Sequence, residues 1–403
     1  MPETRPDAPP LPADPLPVPV PDAVRAALLA PMVDQHCHGV RRDDPPRSGF
    51  EQLVAEGGAP APPGTTHFDT PAGAAIRRWC APVLGLEPHA SAAVYLSRRA
   101  ELGAAEVNRR LLRGSGVSAF LVDAGPESPG LLGPAEMGRL GGAVADEIVR
   151  LEEVERDVAE AGLPAVGYAG ALRDELAARA ARAAGLKTVA AHRRWPGSDL
   201  SRPSRGSVIA AAGRRLADPK ARLADPVLVR HLLWAAADVA RERSLPIQIH
   251  CAFSEDAHGD GASGDAAFGD ADPARLTGFV RALAPLGVPV VLVHCYPHHR
   301  QAAYLASVFP HVYVDAGLAV ALTGAGSAHV LRELLELVPF HKQMYGSGCH
   351  GAAELCYLAA LYHRRGLARL LAGRIAEGEW SVSDAARIAH MIGSANARRV
   401  YRL

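Results

Sequence analysis

The stretch Val33-Asp34-Gln35-His36-Cys37-His38-Gly39 decides how the rest of the chain is read. It follows a short apolar start that predicts a strand over Met32–His36. On extended backbone, residues two apart face the same side. An H-x-H pair leaving a strand therefore aims two imidazoles at one point, as zinc or a similar ion requires. Alone the pair has modest specificity, and two unrelated histidines explain it equally well.

Working outward, seven further short runs are proposed as strands: Ser118–Asp123, Glu147–Leu151, Leu186–Ala191, Pro246–His250, Pro289–His294, His311–Asp315 and Lys342–Ser347. Amphipathic stretches such as Arg98–Arg113, Pro226–Ser244, His299–Phe309, His329–Leu337 and Ala352–Leu371 lie between them. Strand–helix alternation argues for a parallel sheet, and eight repeats argue for closure into a (β/α)8 TIM barrel. Glu147–Leu151 is ambiguous, since it reads equally as the middle of a long helix. His250 and His294 each close a β-branched run after a break. In a barrel, such positions face the mouth where side chains of different strands converge. Their concurrence with His36 and His38 is what points to a site.

The barrel is expected over residues 23–403, behind a Pro-rich leader of residues 1–22 that contains Pro9-Pro10 and is read as unpacked. Two stretches exceed ordinary connections, about residues 41–97 and 193–225, and are read as insertions over the C-terminal mouth. Phe253–Asp272 is acidic and glycine-rich, a mouth loop without the carboxylate spacing of an EF-hand. The chain has 403 residues, 48% of them hydrophobic, enough for a large core. Lys+Arg 43 balance Asp+Glu 43, with no basic stripe, so neither nucleic acid nor an anionic membrane is an expected partner. No apolar run of about 18 residues predicts a membrane span, and no basic-then-apolar start predicts a signal peptide. The expectation is a cytoplasmic protein acting on a small molecule, with a homodimer as the default assembly. Six cysteines in so long a chain do not make a disulfide scaffold; Cys37, Cys251 and Cys295 suit reduced thiols lining a pocket.

The pattern resembles the amidohydrolase superfamily, in its branch of aminocarboxymuconate-semialdehyde decarboxylase and amidohydrolase-related proteins. The resemblance runs from Met32 to Leu403 through Val33–Gly39, Gly185-Leu186-Lys187, His250 and His294-Cys295-Tyr296-Pro297-His298-His299-Arg300. It continues through Val312-Tyr313-Val314-Asp315, Tyr345-Gly346-Ser347 and the tail Ile392–Tyr401. By position it implies His36, His38 and His250 as metal ligands, with His294 polarising or protonating the substrate. One divalent ion, zinc by preference, is the implied cofactor.

The last strand departs from that pattern. The resemblance implies Ser-Asp there, with the aspartate as ligand and base, whereas this chain reads Gly346-Ser347-Gly348-Cys349-His350. Three imidazoles still suffice for zinc; Cys349, His350 or Glu354 are candidates to substitute; or the site binds without turnover. Lys187 is either a carboxylated bridging lysine or, with more weight, a solvated or substrate-binding one. Asp315 either orients a ligand histidine or caps the next loop. His298 and His299 read as surface histidines. Arg77, Trp79 and Arg300 are candidates for holding an anionic substrate. The expected reaction is hydrolysis of a C–N, amide-like bond by activated water. Non-oxidative decarboxylation on the same shell, or a catalytically impaired ligand-binding barrel, are the alternatives.

Overall fold

A computed structural model describes residues 15–55, 59–123, 125, 130–193, 200–251 and 272–403. The acidic loop expected over Phe253–Asp272 falls, apart from Asp272, outside the described residues, as do residues 1–14 of the leader and 194–199 of the second insertion. Seven parallel strands form one curled sheet in chain order: β1 Met32–His38, β2 Val117–Asp123, β3 Val144–Arg150, β4 Gly185–Thr188, β5 Ile247–His250, β6 Val290–Val293 and β7 Val312–Val314.

The eighth expected strand, Lys342–Ser347, is not a regular one, and a single parallel bridge joins Gln343 to Val314. Its backbone is nonetheless held on both sides. Val314 donates to the Lys342 carbonyl and Met344 to the Val314 carbonyl, both at 3.0 Å. Toward β1, Gln35 donates to the Tyr345 carbonyl at 3.1 Å, Gly348 to that of His36 at 2.9 Å and His38 to that of Cys349 at 2.8 Å.

Alternation along the strands explains a sheet buried on both faces. Val290 and Leu292 pack outward into the large cluster shared with the helices. Val291 and Val293 pack inward with Val33, Ala119, Leu121, Ile148 and Met344, where Val400 and Tyr401 of the C-terminal helix join them. Each such side chain contributes about 1.5–3 kcal/mol on burial. The ambiguous third run is a strand that passes directly into the helix Leu151–Glu160, whose first turn carries Glu152 and Glu153. Acidic residues there complement the helix dipole. The stretch expected as one helix over Arg98–Arg113 is two, Ala92–Leu102 and Ala104–Gly114. Gly103, at φ 74° and ψ 155°, separates them in a backbone conformation that favours glycine.

The end of the leader corrects an expectation. Leu16 is buried with Leu367, Leu371 and Ile388 of the C-terminal helices, and the Pro15 carbonyl accepts from Arg365 at 2.9 Å. Apolar residues inside the Pro-rich run supply that anchor. The first insertion builds its own aromatic packing, with the Phe50 and Phe68 rings 5.8 Å apart and Tyr95 beside both. The second contains the helix Arg205–Ala217, fixed by Arg215 on Glu155 at 2.9 Å. Among the described residues no helix is long and apolar enough to cross a membrane.

Candidate active site

The C-terminal strand ends bring the polar residues together. In β1, Asp34 pairs with Phe120 and Cys37 with Val122, so β1 carries one residue more than β2 over this step. Such a bulge re-aims side chains. Gln35 reaches Asp315 and Gln248, while His36 faces Lys187 and His294. The His36 and His38 rings are 5.1 Å apart, His36 and His294 4.8 Å, and His294 and His250 4.8 Å. Nitrogens of His36, His38 and His294 all lie within 4.8 Å of one another. His350 stands over His38 at 5.5 Å.

Beside them is a charged network to which sequence reasoning assigned no role beyond Lys187. Asp123 ends β2 and Arg150 ends β3. The Lys187 ammonium lies 2.8 Å from Asp123 Oδ2 and 3.3 Å from His36 Nε2, and Arg150 holds the same carboxylate at 2.7 Å. His38 Nδ1 lies 3.2 Å from the Asp123 carbonyl. Burial favours the protonated Asp123, yet Arg150, Lys187 and His38 overcome it and hold the carboxyl below its usual range. Lys187 is therefore fully buried and ion-paired, which removes the solvated reading. Asp123 was findable in the sequence as the polar end of an expected strand, as His250 is; Arg150 lay inside the ambiguous run Glu147–Leu151.

Deeper in lies a neutral plug. Gln248 donates to the Gln35 carbonyl at 2.7 Å and to the Tyr401 hydroxyl at 2.8 Å, and Tyr401 donates to Gln35 Oε1 at 2.6 Å. Asp315 accepts from Gln35 at 2.5 Å and from the His294 amide at 3.1 Å. It thus fixes the backbone of a site histidine. A side chain at Gly346 would collide with this pair, 2.8 Å from Gln35 Nε2. Burial pushes the Asp315 carboxyl up to about 8 and that of Asp34 up to about 7, although Ser347 donates to Asp34 at 2.8 Å.

Several expected site residues are committed elsewhere. Glu354 is buried against Arg99 at 2.7 Å and Tyr95 at 2.8 Å, anchoring the long helix Ala353–Ala376 to the first insertion. Cys349 is disulfide-bonded to Cys356 and supplies no thiolate, while Cys37, Cys251 and Cys295 are free and buried. Trp79 lies between the guanidinium groups of Arg78 and Arg365 and donates to Tyr362 at 3.2 Å. Arg300 is exposed and pairs with Glu333 at 3.1 Å and Glu336 at 3.3 Å. His299 is buried rather than superficial, 2.7 Å from Glu333 and stacked on Tyr296. Arg77 is half-buried, its carbonyl accepting from the His89 amide at 2.8 Å, and no described hydrogen bond joins it to His36, His38, His250 or His294. Sequence spacing shows which residues are polar, but not which partner each will meet.

Parallel strands whose C-terminal ends bring imidazoles together define an α/β protein with a candidate metal site. This chain belongs to the amidohydrolase family, whose model matches residues 133–403. The match begins after β1. The chain is 28% identical over 173 residues to Protein fluG of Emericella nidulans, a stretch of 42% of this chain and 19% of that protein. In structure it is similar to a Lactobacillus casei protein assigned as a metal-dependent hydrolase, with a TM-score of 0.79, 23% identity and coverage of 94% of this chain and 97% of that one. It is also similar to a uronate isomerase of Thermotoga maritima, with a TM-score of 0.62, 12% identity and coverage of 94% and 97%. At these identities the likeness is one of fold.

Proposed function

We propose that this chain is a metal-dependent hydrolase cleaving a C–N, amide-like bond of a small molecule, with residues 342–349 serving as the eighth stave of a (β/α)8 barrel. The observation that carries the reading is the convergence of His36, His38, His250 and His294 from three strand ends beside a buried Lys187–Asp123 pair.

The donor set suits a borderline-soft ion. Zinc–nitrogen bonds of about 2.0–2.1 Å set tetrahedral ligands about 3.4 Å apart; the nitrogens of His36, His38 and His294 lie within 4.8 Å of one another, and the His250 ring lies 4.8 Å from that of His294. His294 lies as near as the H-x-H pair, but its Nδ1 accepts the Leu318 amide at 3.3 Å. A neutral ring accepting at Nδ1 carries its proton on Nε2, and an N–H cannot ligate a metal. We therefore assign His36, His38 and His250 as ligands and His294 as the hydrogen-bond donor. A divalent ion in that set supplies Lewis acidity and a water of near-neutral pKa. The His294 Nε2–H is placed to stabilise the oxygen that gains charge, or to protonate the leaving nitrogen.

Gly348 favours a second reading, a barrel that binds its ligand with little turnover. It supplies no base, a loss usually worth about 10²–10⁴ in rate. Elemental analysis of protein purified with zinc available tests the first reading. The expected result is about one ion per chain, lost in His36→Ala and His250→Ala. Metal-free wild-type protein would sink it. A cytoplasmic location and a homodimer complete the proposal, the latter checked by light scattering.

A further inference from the structure

Gly348 stands where the resemblance implies an aspartate, and at the sequence level it reads as a loss. Its surroundings give it a different part. A Cβ built at 348 would lie 2.8 Å from His294 Nδ1 and closer still to Cε1, and 3.0 Å from the Leu318 nitrogen. A Cβ at Gly317 would lie 2.5 Å from the same Nδ1 and 3.0 Å from the His294 Cα. Real Cβ atoms do not approach this closely, so the imidazole fills space that side chains at 317 or 348 would occupy.

The ring is also held deliberately. His294 adopts φ 59°, a left-handed conformation uncommon outside glycine. Such a backbone persists when its surroundings over-determine it. Here the Asp315 carboxyl accepts the His294 amide at 3.1 Å, and the Leu318 amide donates to Nδ1 at 3.3 Å. The rings of His36 and His250 lie 4.8 Å away.

We propose that Gly348 and Gly317 are the seat of His294: both must lack a side chain for the imidazole to stand here as an Nε2–H donor. A substrate bound here meets an N–H at that point, which suits a carbonyl oxygen or oxyanion. That last step rests on the hydrolase reading, whereas the seat itself does not. Gly348 is a positioning residue under this proposal.

The test compares Gly348→Ala in the wild-type and His294→Ala backgrounds, using metal-free full-length protein. The strain of a side chain at φ 60° is common to both backgrounds and cancels in the cycle. The expected result is a drop in Tm of several degrees more in the wild-type background than in His294→Ala. Long-range 1H–15N spectra of histidine-labelled protein should show His294 protonated at Nε2 in the wild type, a signature that Gly348→Ala removes. Gly348→Asp should fold better combined with His294→Ala than alone. If Gly348→Ala does not fold, folding of the double variant supports the seat and failure of both overturns it. Equal Tm losses in the two backgrounds, or a proton on Nδ1 in the wild type, would also overturn it. Neither readout needs metal or turnover, so absence of metal binding would refute the hydrolase reading while leaving this one standing.

Discussion

Asp123→Asn is the sharpest probe of what holds the site's charged wall together. One fully buried carboxylate faces two cations, Lys187 at 2.8 Å and Arg150 at 2.7 Å, and all three groups are nearly or wholly removed from water. Removing one partner of a buried ion pair costs about 3–5 kcal/mol, because the desolvated charge that stays behind is no longer offset. An unfolding entropy of about 2.1 cal/mol/K per residue, taken over the 403 residues, gives about 0.85 kcal/mol per degree. The expected fall in Tm is therefore about 4–6 °C, measured by circular dichroism on metal-free protein. Asparagine preserves shape and still accepts a hydrogen bond, so the result reads charge rather than packing. Adding Lys187→Met to Asp123→Asn should recover part of the loss, since one buried cation then disappears. A fall below about 1 °C would show that the network is already relaxed by water or by protonation, and would refute the reasoning.

Glu354→Ala should cost about 3 kcal/mol in urea unfolding, since Arg99 loses a buried partner, while metal content stays at the wild-type level if the glutamate is structural. Arg300→Ala, at an exposed pair, should change stability by less than about 0.5 kcal/mol and leave ligand binding unaltered in calorimetry. His363 is buried beside Tyr345, and burial pushes its pKa down to about 3. Unfolded chains bind this proton near pH 6.5, so its contribution is complete above that pH. It is lost as pH falls toward 3, at up to about 1.4 kcal/mol per unit. His363→Phe should flatten denaturation midpoints between pH 6 and 4, and an unchanged slope would count against the neutral buried imidazole.

The parts of this molecule legible in the sequence are those written locally. A strand followed by H-x-H, and apolar runs closed by His250, His294 and Asp315, are read from neighbours along the chain, and the structure finds strands at or immediately before each of them. What was not legible depends on distance through space. Glu354 has a helical position suitable for a site, yet its partner Arg99 is 255 residues away. Trp79 and Arg300 have side chains suited to a substrate, yet cations flank the first and glutamates hold the second. Asp123 and Arg150 end adjacent strands, but their joint meaning appears only when β2, β3 and β4 align and Lys187 joins Arg150 on the Asp123 carboxylate.

Gly348 shows the same limit from the other side. In one dimension a glycine in place of an aspartate is an absence, because sequence comparison registers only the side chain that is missing. In three dimensions the volume released is taken by His294, whose own left-handed backbone is fixed by Asp315 and whose Nδ1 is fixed by Leu318. The substitution and the histidine's placement are then one feature. It follows that aspartate introduced at 348 must displace the His294 ring from its present place as well as supply a carboxylate. Comparing that variant with one that also lacks His294 separates the two effects.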